Sequence, residues 1–163
     1  MSRNLFIIIL VCLLSGCMRH VVTEEAREQA RQSEGVYDVA GSMTLAPFQN
    51  ETEPRTITYS GTATATDLGD AIINVAYISD KTPDTVSIQV EMDGEGNLLF
   101  KNFSVNVFGV DASAHMRQSQ IRRYGEDTVR GTAECTLTIF LYSRDCELEV
   151  NAVRRPVENL DGH

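Results

Sequence analysis

Through most of the chain from Gly35 onward, apolar and polar residues alternate in steps of two, the period of a strand with one buried face. Tyr37, Val39, Gly41, Met43 and Leu45 share one side of a first run. Ile57, Tyr59, Gly61, Ala63 and Ala65 share one side of a second, with Thr58, Ser60, Thr62, Thr64 and Thr66 opposite. Asp67-Leu68-Gly69-Asp70 reads as a turn into a third strand, Ala71 to Ser79. Asp80-Lys81-Thr82-Pro83 turns the chain into Val86, Ile88, Val90 and Met92, and Asp93-Gly94-Glu95-Gly96 turns it into a long strand near Asn97 to Phe108. Ala112 to Tyr124 lacks clean alternation and is followed by Gly125, so a short helix and an irregular strand both fit. The alternation is strongest in Val129, Gly131, Ala133, Cys135, Leu137, Ile139 and Leu141. After a turn at Ser143-Arg144, the residues Cys146, Leu148, Val150 and Ala152 resume the inward set.

Seven or eight strands with short turns and no βαβ pattern predict an all-β domain over residues 35–153, a single small antiparallel β-barrel or a β-sandwich. The outward face is threonine, serine, glutamine and glutamate, not the apolar band and aromatic girdles of a membrane-spanning barrel. Small residues recur inside, at Gly41, Gly61, Ala63, Ala65, Gly131 and Ala133. They fit either the taper of a small barrel or room for an apolar ligand. Residues 154–163 are polar, contain Pro156, and read as a flexible tail.

Residues 18–34 show no apolar face but place Glu24 with Arg27 and Glu28 with Arg31 at helical spacing. Thr23 suits the start of a short helix and Gly35 its end. A helix polar all round buries nothing, so this stretch is expected to be a solvated spacer; a partner-binding helix would need an apolar stripe. Upstream, Arg3 precedes an uncharged apolar run from Leu5 to Leu14, too short for the roughly 20 residues that cross a bilayer. A charged start, an apolar middle and small residues at a cut site are the parts of an export signal. The closing Leu14-Ser15-Gly16-Cys17 resembles the lipobox of bacterial lipoproteins. The resemblance implies a signal peptide over 1–16 and cleavage before Cys17. It also implies diacylglycerol and an N-acyl chain such as palmitate on that cysteine, ahead of a spacer that runs to residue 34. At about 0.8 kcal/mol per buried methylene, such chains hold a protein to the membrane. Met18, rather than aspartate, follows the cysteine. The resemblance therefore implies a lipid-anchored place in the cell envelope, at the outer membrane in a Gram-negative host.

Removing 16 of 163 residues leaves 147, enough for one domain. The formal charge of −9 becomes −10 once Arg3 is lost. Such a chain repels phosphate backbones, so no nucleic-acid partner is expected; a basic protein partner, or plain solubility, suits it better.

Little in the chain carries catalytic chemistry. Of three histidines, His20 falls in the spacer, His163 ends the chain and only His115 belongs to the domain. There is no metal-ligand spacing, nucleophile elbow or phosphate loop, so no enzyme activity, metal or cofactor is expected. Asp93-Gly94-Glu95-Gly96-Asn97 sets oxygens at alternate positions as a calcium loop does, but lacks the later acidic ligand; a hairpin turn accounts for both glycines. Arg117, Arg122, Arg123 and Arg130 form the one basic group, suited to lipid phosphates or anionic glycan, or simply solvated. Cys12 leaves with the signal and Cys17 takes lipid, which leaves Cys135 and Cys146. An oxidising compartment favours a disulfide between them. With the turn at Ser143-Arg144, however, Cys146 faces Leu141, and Cys135 sits about 20 Å along the strand, beyond the roughly 7 Å a disulfide spans. The bonded and the reduced pair both stay open.

The domain also resembles lipocalin-like, or calycin-like, barrels of bacterial lipoproteins, through Gly35-Val36-Tyr37-Asp38-Val39-Ala40-Gly41 and Leu98-Leu99-Phe100-Lys101-Asn102-Phe103. A lipocalin's first-strand tryptophan is replaced here by Tyr37. The resemblance implies a binding module for a small apolar ligand or envelope component, with Tyr37, Tyr59 and Tyr77 at the site. A protein-binding barrel is the alternative: Tyr59-Ser60-Gly61 is similar to the Ser-Gly loop of periplasmic lysozyme inhibitors, whose further aromatic motif is absent. A structural envelope lipoprotein is the third reading.

Overall fold

The computed structural model describes residues 22–47, 49–81, 85–107 and 110–156, with no side-chain detail at 105–107 and 110–111. The lipobox, Cys12, Cys17, His20 and His163 lie outside the described residues. The described residues are all-β apart from one helix, α1 (Glu24–Gln32). Ten strands follow: β1 (Gly35–Leu45), β2 (Arg55–Gly69), β3 (Ile72–Ser79), β4 (Thr85–Met92), β5 (Leu98–Phe100), β6 (Phe103–Val107), β7 (Val110–Ser119), β8 (Arg122–Tyr124), β9 (Thr128–Ile139) and β10 (Tyr142–Arg154). They form one antiparallel sheet in the order β5-β4-β3-β2-β1-β10-β9-β7-β6, with β8 also paired to β9. The sheet curls into a half-barrel.

Ten strands replace the expected seven or eight because two runs are broken. The long run after Asn97 parts at Lys101-Asn102 into β5 and β6. The irregular stretch after Ala112 is β7 and β8, parted at Gln120-Ile121. Between Met116 and Gln118 the register against β9 slips, a bulge that turns Arg117 outward and erases the alternation. Gly131 of β9 lies under the break. Its φ is +148°, and a Cβ there would collide with the backbone of Gln120 and Ile121. No other residue admits that approach.

The sheet's two flanks meet at one end. Leu98 N donates to Ile121 O (2.8 Å) and Arg123 N to Gly96 O (2.8 Å), so β5 and β8 join there. This end is plugged by α1. Thr23 caps the helix, its Oγ1 accepting from Ala26 N at 3.2 Å, and Arg27 and Arg31 pair with Glu24 (3.1 Å) and Glu28 (2.9 Å). The solvated-spacer expectation fails here. Ala26 and Ala30 lie one turn apart on one face, and both are buried among Ile73, Val90, Met92, Leu98 and Ile121. The stripe is only two methyls wide, which is why the helix reads as polar all round; small size lets it approach the sheet closely.

The start of the presumed tail is also structured. Arg154 ends β10 and donates to the carbonyls of Gln32 (2.9 Å) and Glu34 at the end of α1. Arg155 pairs with Asp38 (2.6 Å) and Thr62 (3.0 Å). Residues 157–163 lie outside the described residues.

Candidate functional site

The inward face changes character along the barrel. Near α1 it is closed and packed. Towards the opposite end, where the β3–β4 and β9–β10 turns lie, Met43, Ile88 and Leu137 are only half-buried and Ile57 is 43 % exposed, while Val75 and Leu148, further in, pack against the core beneath α1. Direct register pairs place these residues on one face: Met43 faces Ile57 and Leu148, and Val75 faces Ile88. The result is an apolar trough. Charge enters at its rim, where Arg144 binds the carbonyl of Ala46 (Nε at 3.0 Å) and the Glu51 carboxylate.

Two of the three tyrosines expected at a site meet on the floor of this trough. Tyr59 and Tyr77 pack edge to face, centroids 6.2 Å apart at 86°. Each lies over a glycine of the neighbouring strand. A Cβ on Gly41 would collide with Tyr59 and with Glu149 O, and one on Gly61 with the Tyr77 ring and Ile78 O. Through that gap Tyr59 OH donates to Glu149 O (2.6 Å), and Tyr77 OH donates to Ser60 O (2.8 Å). Burial pushes the Tyr59 hydroxyl well above its ordinary pKa, with the Tyr77 hydroxyl and Glu149 adding to it; burial also raises Tyr77. Both hydroxyls are spent on main-chain carbonyls. What the pair offers the trough is ring surface.

Tyr37 is elsewhere. It is buried under α1, donates to Ser33 O at 2.9 Å, and carries the Arg154 guanidinium 5.6 Å from its ring centre. Burial raises its pKa against the lowering pull of Arg154 and Arg123. It ties the helix to the sheet instead of lining the trough.

Cys135 and Cys146 stand directly opposite one another in the β9–β10 ladder, Cα atoms 5.0 Å apart, and are disulfide-bonded. The expected turn at Ser143-Arg144 is corrected: Ile139 pairs with Tyr142, so the loop is Phe140-Leu141. Moving the turn by three residues brings the cysteines into register. The bridge sits in a small apolar cluster with Leu45, Met43, Met116 and Leu137 beneath the trough's rim.

The four arginines do not form one patch. Arg117 pairs with Asp145 (3.3 Å) on the outer face. Arg122 and Arg130 flank the Tyr124 ring at 4.7 and 4.5 Å. Arg123 is buried, its Nη1 held by the amides of Gln29 (3.0 Å) and Gln32 (2.8 Å) of α1. The Asp93 loop is a turn. Its carboxylate accepts from Glu95 N and Asn97 N (2.9 Å each) and from the Asn97 amide (2.7 Å). Burial works to raise the Asp93 pKa, but these donors outweigh it and bring it below the ordinary value. Among the described residues no group of three or more His, Cys, Asp or Glu is placed to hold a metal ion. No helix among them is long and apolar enough to cross a membrane.

Sequence periodicity put Tyr59 on the inward face; Tyr77, expected at the site without an assigned face, lies on that same face. Their pairing with Gly41 and Gly61 was hidden, because it depends on which strands are neighbours: Gly41 stands directly opposite Tyr59, and Gly61 diagonally from Tyr77. Comparison with protein-family models gives no match, and neither does comparison with curated proteins.

Proposed function

We propose that this protein is a cell-envelope lipoprotein, tethered through lipid on Cys17, whose half-barrel takes a small apolar ligand in its trough. One observation carries the ligand reading. Among the described residues the inward face towards the open end is apolar and half-buried, with Ile57 among the most exposed, and Arg144 brings charge to its rim. Leaving that surface in water costs about 25 cal/mol per Å², which a bound apolar molecule recovers. The floor supports it: with both tyrosine hydroxyls internally bonded, the trough selects by shape and apolarity and not by hydrogen bonding.

The ligand reading is tested by extracting the full-length protein from membranes and taking its native and denatured masses. A non-covalent apolar species in the native mass, absent from Ile57→Glu, is the expected result. A wild type that carries nothing and shows no thermal shift across a panel of fatty acids and phospholipids would exclude the reading. The tether is tested separately, by acyl mass on the N-terminal peptide and its loss in Cys17→Ser.

A further inference from the structure

The β9–β10 hairpin ends in a loop whose sequence opposes its own geometry. Phe140 and Leu141 form a two-residue loop, and Phe140 has φ +53° while Leu141 does not share that region. Positive φ at the first loop position alone is the type II′ pattern, in which glycine is the favoured occupant. Phe140 is nevertheless 80 % exposed, Leu141 95 % and Tyr142 57 %. Neither turn chemistry nor burial accounts for two large apolar side chains, Phe140 and Leu141, side by side at this tip.

The stem beneath is stiff. The Cys135–Cys146 bridge crosses it, as do the Thr138–Ser143 hydroxyl pair (2.8 Å) and the bond from Thr136 to Asp145 (3.0 Å). A knob held this way loses little freedom when it docks. The stem is also acidic on its outer face. Glu147 stands directly opposite Glu134, an arrangement that costs energy between like charges, and Glu149 lies on the same face, where Arg117 neutralises only Asp145.

We propose that Phe140-Leu141 is a docking knob for a partner protein that offers an apolar socket with a basic rim. Charge selects this occupant. A second copy would bring the same carboxylates in a chain of net charge −9, and an anionic bilayer would meet the stem with like charge. Aromatic and leucine side chains at the centre of a contact, with charged groups around it, match the anatomy of protein interfaces. The knob is independent of the trough: it points outward at the same end, and its failure would leave the ligand reading untouched.

The test uses the full-length protein in its own envelope, with a photo-crosslinking residue at Leu141 or, as the control, at the exposed Thr64 of β2. The expected result is one protein adduct from position 141 and none from 64. Once identified and purified, that partner should bind the wild type, bind Phe140→Gly/Leu141→Ser at least tenfold more weakly, and bind Glu134→Gln/Glu147→Gln more weakly in proportion to added salt. The first variant also separates docking from folding, since glycine suits the turn and the variant should be at least as heat-stable as wild type. The proposal is overturned by adducts from 141 no stronger than from 64, by adducts only to a second copy, or by equal binding of the partner to variant and wild type. Flotation of the wild type, but not the variant, with phosphatidylethanolamine/phosphatidylglycerol vesicles in place of a protein adduct would also overturn it.

Discussion

Among the described residues two tight, two-residue hairpin turns carry non-glycine residues in the left-handed region, at opposite ends of the half-barrel; Gln49, at +35°, belongs to the longer β1–β2 loop. At the helix end, the β2–β3 loop is Asp70-Ala71, with φ of +52° and +60°. Such a conformation costs roughly 1–2 kcal/mol for an L-residue. There the cost is offset: Ala71 is buried against α1, Ile73 and Met92, and Arg27 reaches Asp70 at 3.6 Å. At the open end Phe140 bears a similar cost, and both loop side chains project into solvent. The same backbone device is absorbed into the core in one place and displayed in the other. The difference separates the end that holds the fold together from the end that presents surface.

If that contrast is sound, damage at the helix end should be the most severe. Ala30 is fully buried under the sheet, and Ala30→Glu puts an unpaired carboxylate there at a cost of about 3–5 kcal/mol. Thermal unfolding should drop sharply or the variant fail to accumulate. A mild effect would mean that α1 is a spacer after all. Replacing both cysteines with serine should cost about 3 kcal/mol from chain entropy, read as a lower urea midpoint. The helix end should keep its slow hydrogen exchange while β9–β10 exchanges faster. Gly131→Ala should cost about 2 kcal/mol, because its methyl meets the backbone of Gln120 and Ile121.

The sharpest pair concerns the two turns themselves. Phe140→Gly should stabilise by about 1 kcal/mol, since it removes strain and loses no packing. Ala71→Gly should bring no gain, because relief of strain is balanced by loss of a buried methyl worth about 0.8 kcal/mol and by glycine's entropy. Equal responses at both turns would erase the comparison.

Titration should give the smallest effects. The Tyr59 pKa is raised in the folded protein, so its contribution is complete below the ordinary tyrosine value of 10.0 and is lost as pH rises from there through the folded value. The alkaline unfolding limb should flatten in Tyr59→Phe. Asp93 has the opposite sign. Its depressed pKa contributes stability above the ordinary value of 3.8 that disappears as pH falls through the folded value, and Asp93→Asn should soften the acid limb.

Much of this was legible in the residues. Period-two alternation gave the inward set of β1, β2, β4, β9 and β10, and with it the all-β, barrel-like class. The failures share a cause: local chemistry outvoted by tertiary context. Ser143-Arg144 looks like a turn and Phe140-Leu141 like strand, yet the ladder pairs Ile139 with Tyr142. That misplaced turn also hid the disulfide. The residues that misled the reading are those now proposed to dock a partner, as expected where a site breaks the rules that specify a fold. Ala26 and Ala30 were too small to register as an apolar stripe, although a helix plugging a barrel requires small residues. Tyr59 was found by parity, but the seats of Tyr59 and Tyr77 on Gly41 and Gly61 needed the strand order.

The open, apolar trough is the central claim, and titration with a neutral apolar fluorophore such as Nile red tests it most directly. Wild type should bind about one equivalent with a blue-shifted emission, and Ile57→Glu, at a half-exposed position that tolerates charge, should lose that signal while unfolding at nearly the same temperature. Equal titrations for the two proteins, or none for wild type, would contradict it.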